Sequence, residues 1–170
     1  LSTFETLHTT ISANVRDLRM APLAETVVEL GGALRAQGAS VVLVTTHAGG
    51  RCNEFSDPDD LSSCDEDEEV MQLARALPPG LVDVIVGGHT HQAVAHRVNG
   101  IAIIESWALG HAFGRVDLKL VDGAVTESTI HPPRFVCEGP AQSCTPEAYE
   151  GMPVERVAQG PSRFERWSDQ

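Results

Sequence analysis

Two short apolar runs, Val41 to Val44 and Leu81 to Val86, are separated by a single amphipathic segment, and this arrangement constrains the fold more than any other feature of the chain. A hairpin turn is too short to accommodate a helix, so strand, helix, strand implies a parallel pair joined by a crossover. The first strand is predicted over Ser40 to Thr46. A helix precedes it, opening at Ala21-Pro22 with Pro22 near its first turn, carrying Leu23, Val27, Leu30 and Leu34 on one face, and ending at Gly38. The crossover helix is predicted to start at the capping-box pattern Ser63-Cys64-Asp65-Glu66, to run through Val70, Leu73, Ala74 and Leu77, and to stop at Pro78-Pro79-Gly80. Leu81 to Gly87 follows as a strand branched enough to be buried on both faces. Ile101 to Glu105, Gly114 to Val121 and Ala124 to Ile130 read as further strands, the last two joined by the hairpin signal Asp122-Gly123. The expectation is an α/β fold, a mixed β-sheet layered with helices, over residues 1–131. A Pro/Gly-rich linker or arm is expected over 132–170.

The chain carries 24 acidic against 12 basic residues, a formal net charge of −12. Nine of the acids fall between Glu54 and Glu69, where there is no Lys or Arg, so one loop makes the protein acidic. Phosphate-tracking surfaces need clustered bases, and nothing here supplies a basic stripe, which excludes nucleic acid as an expected partner. Asp65 to Glu69 fit a helix N-terminus favoured by the macrodipole, and the loop lacks the Gly and final Glu offsets of a calcium-binding hand. No apolar run approaches the roughly 20 residues of a membrane span. The chain opens at Leu1 without a basic segment and apolar core, so any targeting segment is expected upstream.

Cys52 and Cys64 flank the acidic loop, and Cys137 and Cys144 flank a Gly/Pro/Ser stretch. Two local disulfides are expected, with an oxidising compartment as the corollary. Zinc is the competing reading, disfavoured because neither pair has the short C-x2-4-C spacing.

Three histidines stand where ligands gather in open parallel sheets, beyond the carboxyl ends of strands. His47 ends the first strand, and His89 and His91 follow Leu81 to Gly87, with glycines at 49, 50, 87 and 88 that let the backbone turn without obstruction. These three are the candidate metal ligands. His8, His96, His111 and His131 lack such placement and read as surface or hydrogen-bonded structural residues.

The stretches Asp83-Val-Ile-Val-Gly-Gly-His-Thr-His91, Val41-Val-Leu-Val-Thr-Thr-His-Ala-Gly49, Asn99-Gly-Ile-Ala-Ile-Ile-Glu105 and Gly114-Arg-Val-Asp-Leu118 together resemble the second half of a calcineurin-like metallophosphoesterase domain, more narrowly its bacterial 5'-nucleotidase branch. Leu1-Ser-Thr-Phe-Glu-Thr6 with Asn14-Val-Arg-Asp-Leu18 is similar to the segment between the two halves of those enzymes. Tyr149-Glu-Gly-Met-Pro-Val154 resembles the approach to their C-terminal substrate domain. The resemblance implies the second half of an αββα sandwich, and a hydrolase that uses two divalent ions, Zn, Mn, Fe or similar, to activate water against nucleotides or other small phosphate esters. It also implies a periplasmic or extracellular setting and a role in nucleotide catabolism.

Carried over residue by residue, His47 and His89 would bind one ion and His91 the other. The family's bridging carboxylates and acid histidine sit in Asp-x-His, Gly-Asp-x-x-Asp and Gly-Asn-His motifs, and none of these occurs in the sequence. The resemblance therefore implies a missing N-terminal half-domain and a missing C-terminal substrate domain, at most one ion held by this chain, and little activity from it alone. The alternative is a non-catalytic metal-binding or remnant module using the same histidines.

Overall fold

The computed structural model describes residues 1–136 and 148–153, and the chain divides into two units, Leu1–Phe135 and Val136–Gln170. The first unit begins with two single-turn helices, α1 (Thr6–Thr9) and α2 (Ser12–Val15), followed by α3 (Leu23–Ala36), β1 (Leu43–Thr45), α4 (Glu69–Ala76), β2 (Val84–Val86), β3 (Ala93–Val98), β4 (Ile101–Ser106), β5 (Ala112–Val121) and β6 (Ala124–Phe135). Four strands form one sheet in the order β1-β2-β4-β3, and β5 and β6 form a two-stranded ribbon. β1 pairs with β2 and β2 with β4 in parallel, whereas β3 pairs with β4 antiparallel. The protein is thus an α/β fold on a mixed sheet.

Strand alternation sorts the side chains into two layers. Ile85, Val94, Val98, Ile101 and Ile103 point to the helical side, where they pack with Val27 of α3 and Val70, Met71, Leu73 and Ala74 of α4. Val84, Ala95 and Ala102 point the other way, against Ile130, Val116 and Leu118 of the ribbon. Fully burying a residue such as Ile103 stabilises the fold by roughly 2 kcal/mol.

The helix expected after Pro22 forms as α3, with Pro22 preceding its first turn and Gly38 at φ 92° beyond its end. Its guanidinium Arg35 donates to Asp83 Oδ2 at 2.6 Å and to the Ser40 carbonyl at 2.8 Å, and Asp83 Oδ2 also accepts the Val42 N–H. One ion pair thereby fastens the end of α3 to the starts of β1 and β2.

Four expectations need correction. The strand expected over Ser40 to Thr46 shrinks to β1, an outer strand of the sheet on which Leu43 is 53% exposed. The crossover helix begins at Glu69, not at Ser63. Cys64 is bridged to Cys52 and the Asp65 N–H donates to the Arg51 carbonyl, which holds this segment extended. β3 was not anticipated, because His96 and Arg97 interrupt its apolar pattern. The ribbon strand β6 continues through Pro132 and Pro133 to Phe135 rather than giving way to a linker at 132. Its register shifts between Phe113↔Arg134 and Arg115↔His131, so the two prolines occupy an irregularity where missing N–H donors do least harm. The Asp122-Gly123 turn forms as expected, with both residues at positive φ.

In the second unit, Tyr149 and Met152 exchange both backbone hydrogen bonds around a turn at Glu150 and Gly151. The expected arm beyond 136 otherwise lies outside the described residues.

Candidate metal centre

The parallel ladder brings the ends of β1 and β2 to one edge. Thr46 donates to the Val86 carbonyl at 2.9 Å, Gly88 to the Ala48 carbonyl at 3.3 Å, and Gly87 to the Ile104 carbonyl at 2.8 Å, so the loops after β1 and β2 stay in register past the strands. Residues 1–3 run beside the same edge: His47 donates to the Leu1 carbonyl and accepts from the Thr3 N–H at 2.8 Å. His47 and His89 therefore meet by backbone geometry. Their ring centroids are 4.8 Å apart, and His89 Nδ1 lies 3.2 Å from His47 Nε2.

The other ring nitrogen of His89, Nε2, lies 2.8 Å from Glu5 Oε2. An ionised carboxylate only accepts, so the proton of a neutral His89 sits on Nε2 and its Nδ1 lone pair faces His47. Two nitrogens bound to one tetrahedral zinc at 2.0–2.1 Å are about 3.3 Å apart. The spacing and the tautomer thus fit a shared cation. Two imidazole donors, His47 and His89, suit zinc and its borderline neighbours, and an ion held there would supply the Lewis acidity that activates water.

His91 does not join this pair. It is exposed, and among the described residues the only three potential ligand atoms within 4.8 Å of one another belong to Cys52, Cys64 and His96. His89 and His91 both have positive φ, 96° and 56°, so the alternation that would place them on one face is broken, and Thr90 turns inward between them. Positive φ at two histidines flanking a single threonine is a costly conformation, held here by the surrounding contacts.

Those contacts centre on Glu105, a buried carboxyl at the end of β4. Its Oε2 accepts the Gly50 N–H at 2.9 Å and its Oε1 lies 2.9 Å from the Thr90 hydroxyl, which also donates to the Gly50 carbonyl at 2.8 Å. Burial pushes the Glu105 pKa up, against the opposing pull of Gly50 and Thr90. The loops touch so closely that a Cβ on Gly49 would lie 2.5 Å from the Gly88 carbonyl oxygen. An open cavity of about 340 Å³ beside His89 is lined also by Glu5, Glu68, Glu69, Arg51 and Gln92 among others. Burial also raises the Glu68 pKa, reinforced by Asp65.

Sequence reasoning missed Glu5 and Glu105. Glu105 was detectable in principle as a charged residue in register with Ile101 and Ile103. Glu5 carried no local signal, because 84 residues separate it from His89.

Cys52 and Cys64 form a disulfide, as expected for that pair. The oxidised sulfurs are not thiolate ligands, so their group with His96 is no metal site. Cys137 and Cys144 lie outside the described residues. Acids in and just after the enclosed loop serve the backbone: Asp57, Asp60 and Asp65 each accept, through Oδ1, the N–H two residues ahead. Of the remaining histidines, His131 pairs with Asp117 at 2.9 Å, and His96 is fully buried with no partner for Nε2. No described helix is long and apolar enough to cross a membrane.

No family model matches the chain. It is 28% identical over 143 residues to "Cell wall protein Lmo0130" of Listeria monocytogenes serovar 1/2a, a match covering 81% of this chain and 18% of that protein. The chain therefore spans less than a fifth of the relative's length.

Proposed function

We propose that this chain carries half of the active centre of a metal-dependent phosphoester hydrolase, with His47 and His89 holding one divalent ion and nucleotides or similar small phosphate esters as substrates. The observation that carries the reading is the 3.2 Å approach of His89 Nδ1 to His47 Nε2 at the carboxyl ends of two adjacent parallel strands. The resemblance of the Gly88-His89-Thr90-His91 and His47-Ala48-Gly49 elements to metallophosphoesterases supports it, and gives His91 the role of ligand to a second ion. That second ion needs bridging carboxylates of the Asp-x-His and Gly-Asp-x-x-Asp kind, which this sequence does not contain. We further propose that the protein acts outside the cytoplasm, a reading supported by the Cys52–Cys64 disulfide and by its similarity to a Listeria protein named as a cell wall protein.

Calorimetric titration with zinc and with manganese tests the metal half. About one ion per chain is expected, with uptake lost in His47→Ala and His89→Ala. Assays with a nucleoside monophosphate and an aryl phosphate test the chemical half. Turnover barely above background is expected from this chain, and metal-dependent turnover from a longer chain that includes the missing carboxylate motifs, abolished there by His89→Ala. Absence of ion uptake, or uptake indifferent to both histidines, overturns the reading.

A further inference from the structure

We propose that Glu5 is the positioning residue of the metal centre: its carboxylate holds His89 as the Nε2–H tautomer, so that the Nδ1 lone pair is presented beside His47 Nε2. The inference rests on the reading that these two histidines hold an ion. It extends that reading to a residue to which the sequence motifs assign no role.

Three observations carry it. First, the contact is short and terminal: Glu5 Oε2 is 2.8 Å from His89 Nε2, while His89 Nδ1 faces His47. Second, the carboxylate stands on an anchored backbone. The Glu5 N–H donates to the hydroxyl of buried Thr3 at 3.1 Å, and the Glu5 carbonyl accepts from His8 and Thr9 at 2.8 Å. Thr3 in turn donates its N–H to the His47 carbonyl, so the segment that carries Glu5 is tied to the other ligand as well. Third, the geometry separates positioning from direct ligation. No ligand atoms of Glu5, His47 and His89 fall together within 4.8 Å, because the His89 ring stands between the carboxylate and His47. An acceptor on the far nitrogen fixes the ring's orientation and makes the near nitrogen more basic. His89 benefits particularly, since its backbone at φ 96° gives no help from ordinary strand geometry.

The test uses the full chain, zinc alone as the probe, and the variants Glu5→Ala and Glu5→Gln, with thermal melts to verify folding. Nitrogen-15 spectra of the histidine rings without metal should show His89 as the Nε2–H tautomer in the parent and as a mixture in Glu5→Ala. Zinc affinity should fall about 10–100-fold in Glu5→Ala, the range for loss of such an outer partner. Glu5→Gln should retain much of both properties, because its amide oxygen still accepts from Nε2–H. An unchanged tautomer and affinity in Glu5→Ala overturns the proposal while leaving a histidine-dependent metal site intact. Equal loss in Glu5→Gln and Glu5→Ala also overturns it, in favour of direct ligation by the carboxylate. If the parent chain takes up no zinc, the metal reading itself fails and the proposal with it.

Discussion

Glu105 Oε2 accepts the Gly50 N–H at 2.9 Å across the end of β2, so a side chain from β4 clasps the loop that leaves β1. With Thr90 on its other oxygen, this carboxyl joins the two histidine-bearing loops although it is only 2% exposed. Glu105→Ala leaves Gly50 N–H without its acceptor, and a loss of about 3 kcal/mol is expected in urea unfolding, with a smaller loss for Glu105→Gln.

The same carboxyl makes a pH prediction. Burial raises its folded pKa above the ordinary 4.5, with Glu68 adding to the rise and the Gly50 and Thr90 bonds opposing it. A raised acid binds its proton more tightly in the folded state, so its contribution is fully present below about pH 4.5 and is lost as pH climbs through the folded value. The stability advantage of the parent over Glu105→Gln should therefore shrink with rising pH across that window, and unfolding midpoints measured at intervals from pH 4 upward check the sign.

His96 works in the opposite direction. Its imidazole is buried and its pKa is lowered by that burial, despite Asp60, Asp57 and Asp59 nearby, which favour the charged form. The folded state therefore binds fewer protons than the unfolded one just below the ordinary 6.5, and stability should fall as pH drops through that region. His96→Leu, which removes the titrating ring and the unpartnered Nε2, should flatten this acid limb. An equally steep limb in the variant assigns the effect to other groups.

Gly49 admits no side chain. In Gly49→Ala the added carbon meets the Gly88 carbonyl at 2.5 Å and Glu105 Oε2 at 2.7 Å, and a backbone oxygen cannot swing aside. A destabilisation of about 3 kcal/mol is expected, with displacement of the His89 loop and weaker zinc uptake. Gly32→Ala meets nothing within 4 Å and serves as the control.

The Cys52–Cys64 bond closes a loop with a sequence separation of 12, and its removal in the paired Cys52→Ala, Cys64→Ala variant should cost about 3 kcal/mol. Denaturant unfolding of the two proteins measures the difference, and insensitivity to the substitution would show that the loop's other bonds suffice.

The architecture was legible where a residue type has few alternatives. Pro22 and Gly38 bracket α3, Asp122-Gly123 forces the hairpin, and the apolar runs around Val42 and Ile85 do become parallel neighbours. Misreadings arose where a long-range bond overrode local preference. Cys52 holds Cys64 out of the helix that Ser63-Cys64-Asp65-Glu66 suggests, and pairing with β5 carries the ribbon past Pro132 and Pro133. In the candidate site the same division holds. His47 and His89 were placed by strand ends, but Glu5 reaches His89 by a tertiary contact that leaves no trace in spacing.

Four of the nine clustered acids, Glu54, Asp57, Asp59 and Asp60, lie inside the ring closed by Cys52 and Cys64. A covalent ring survives unfolding, so these carboxylates remain crowded whether or not the domain is intact, and their mutual repulsion largely cancels between the two states. Added salt should accordingly stabilise the oxidised protein little through this loop. Reduction lets the unfolded chain disperse the same charges, and ionic strength then becomes a determinant of stability that the closed ring had concealed.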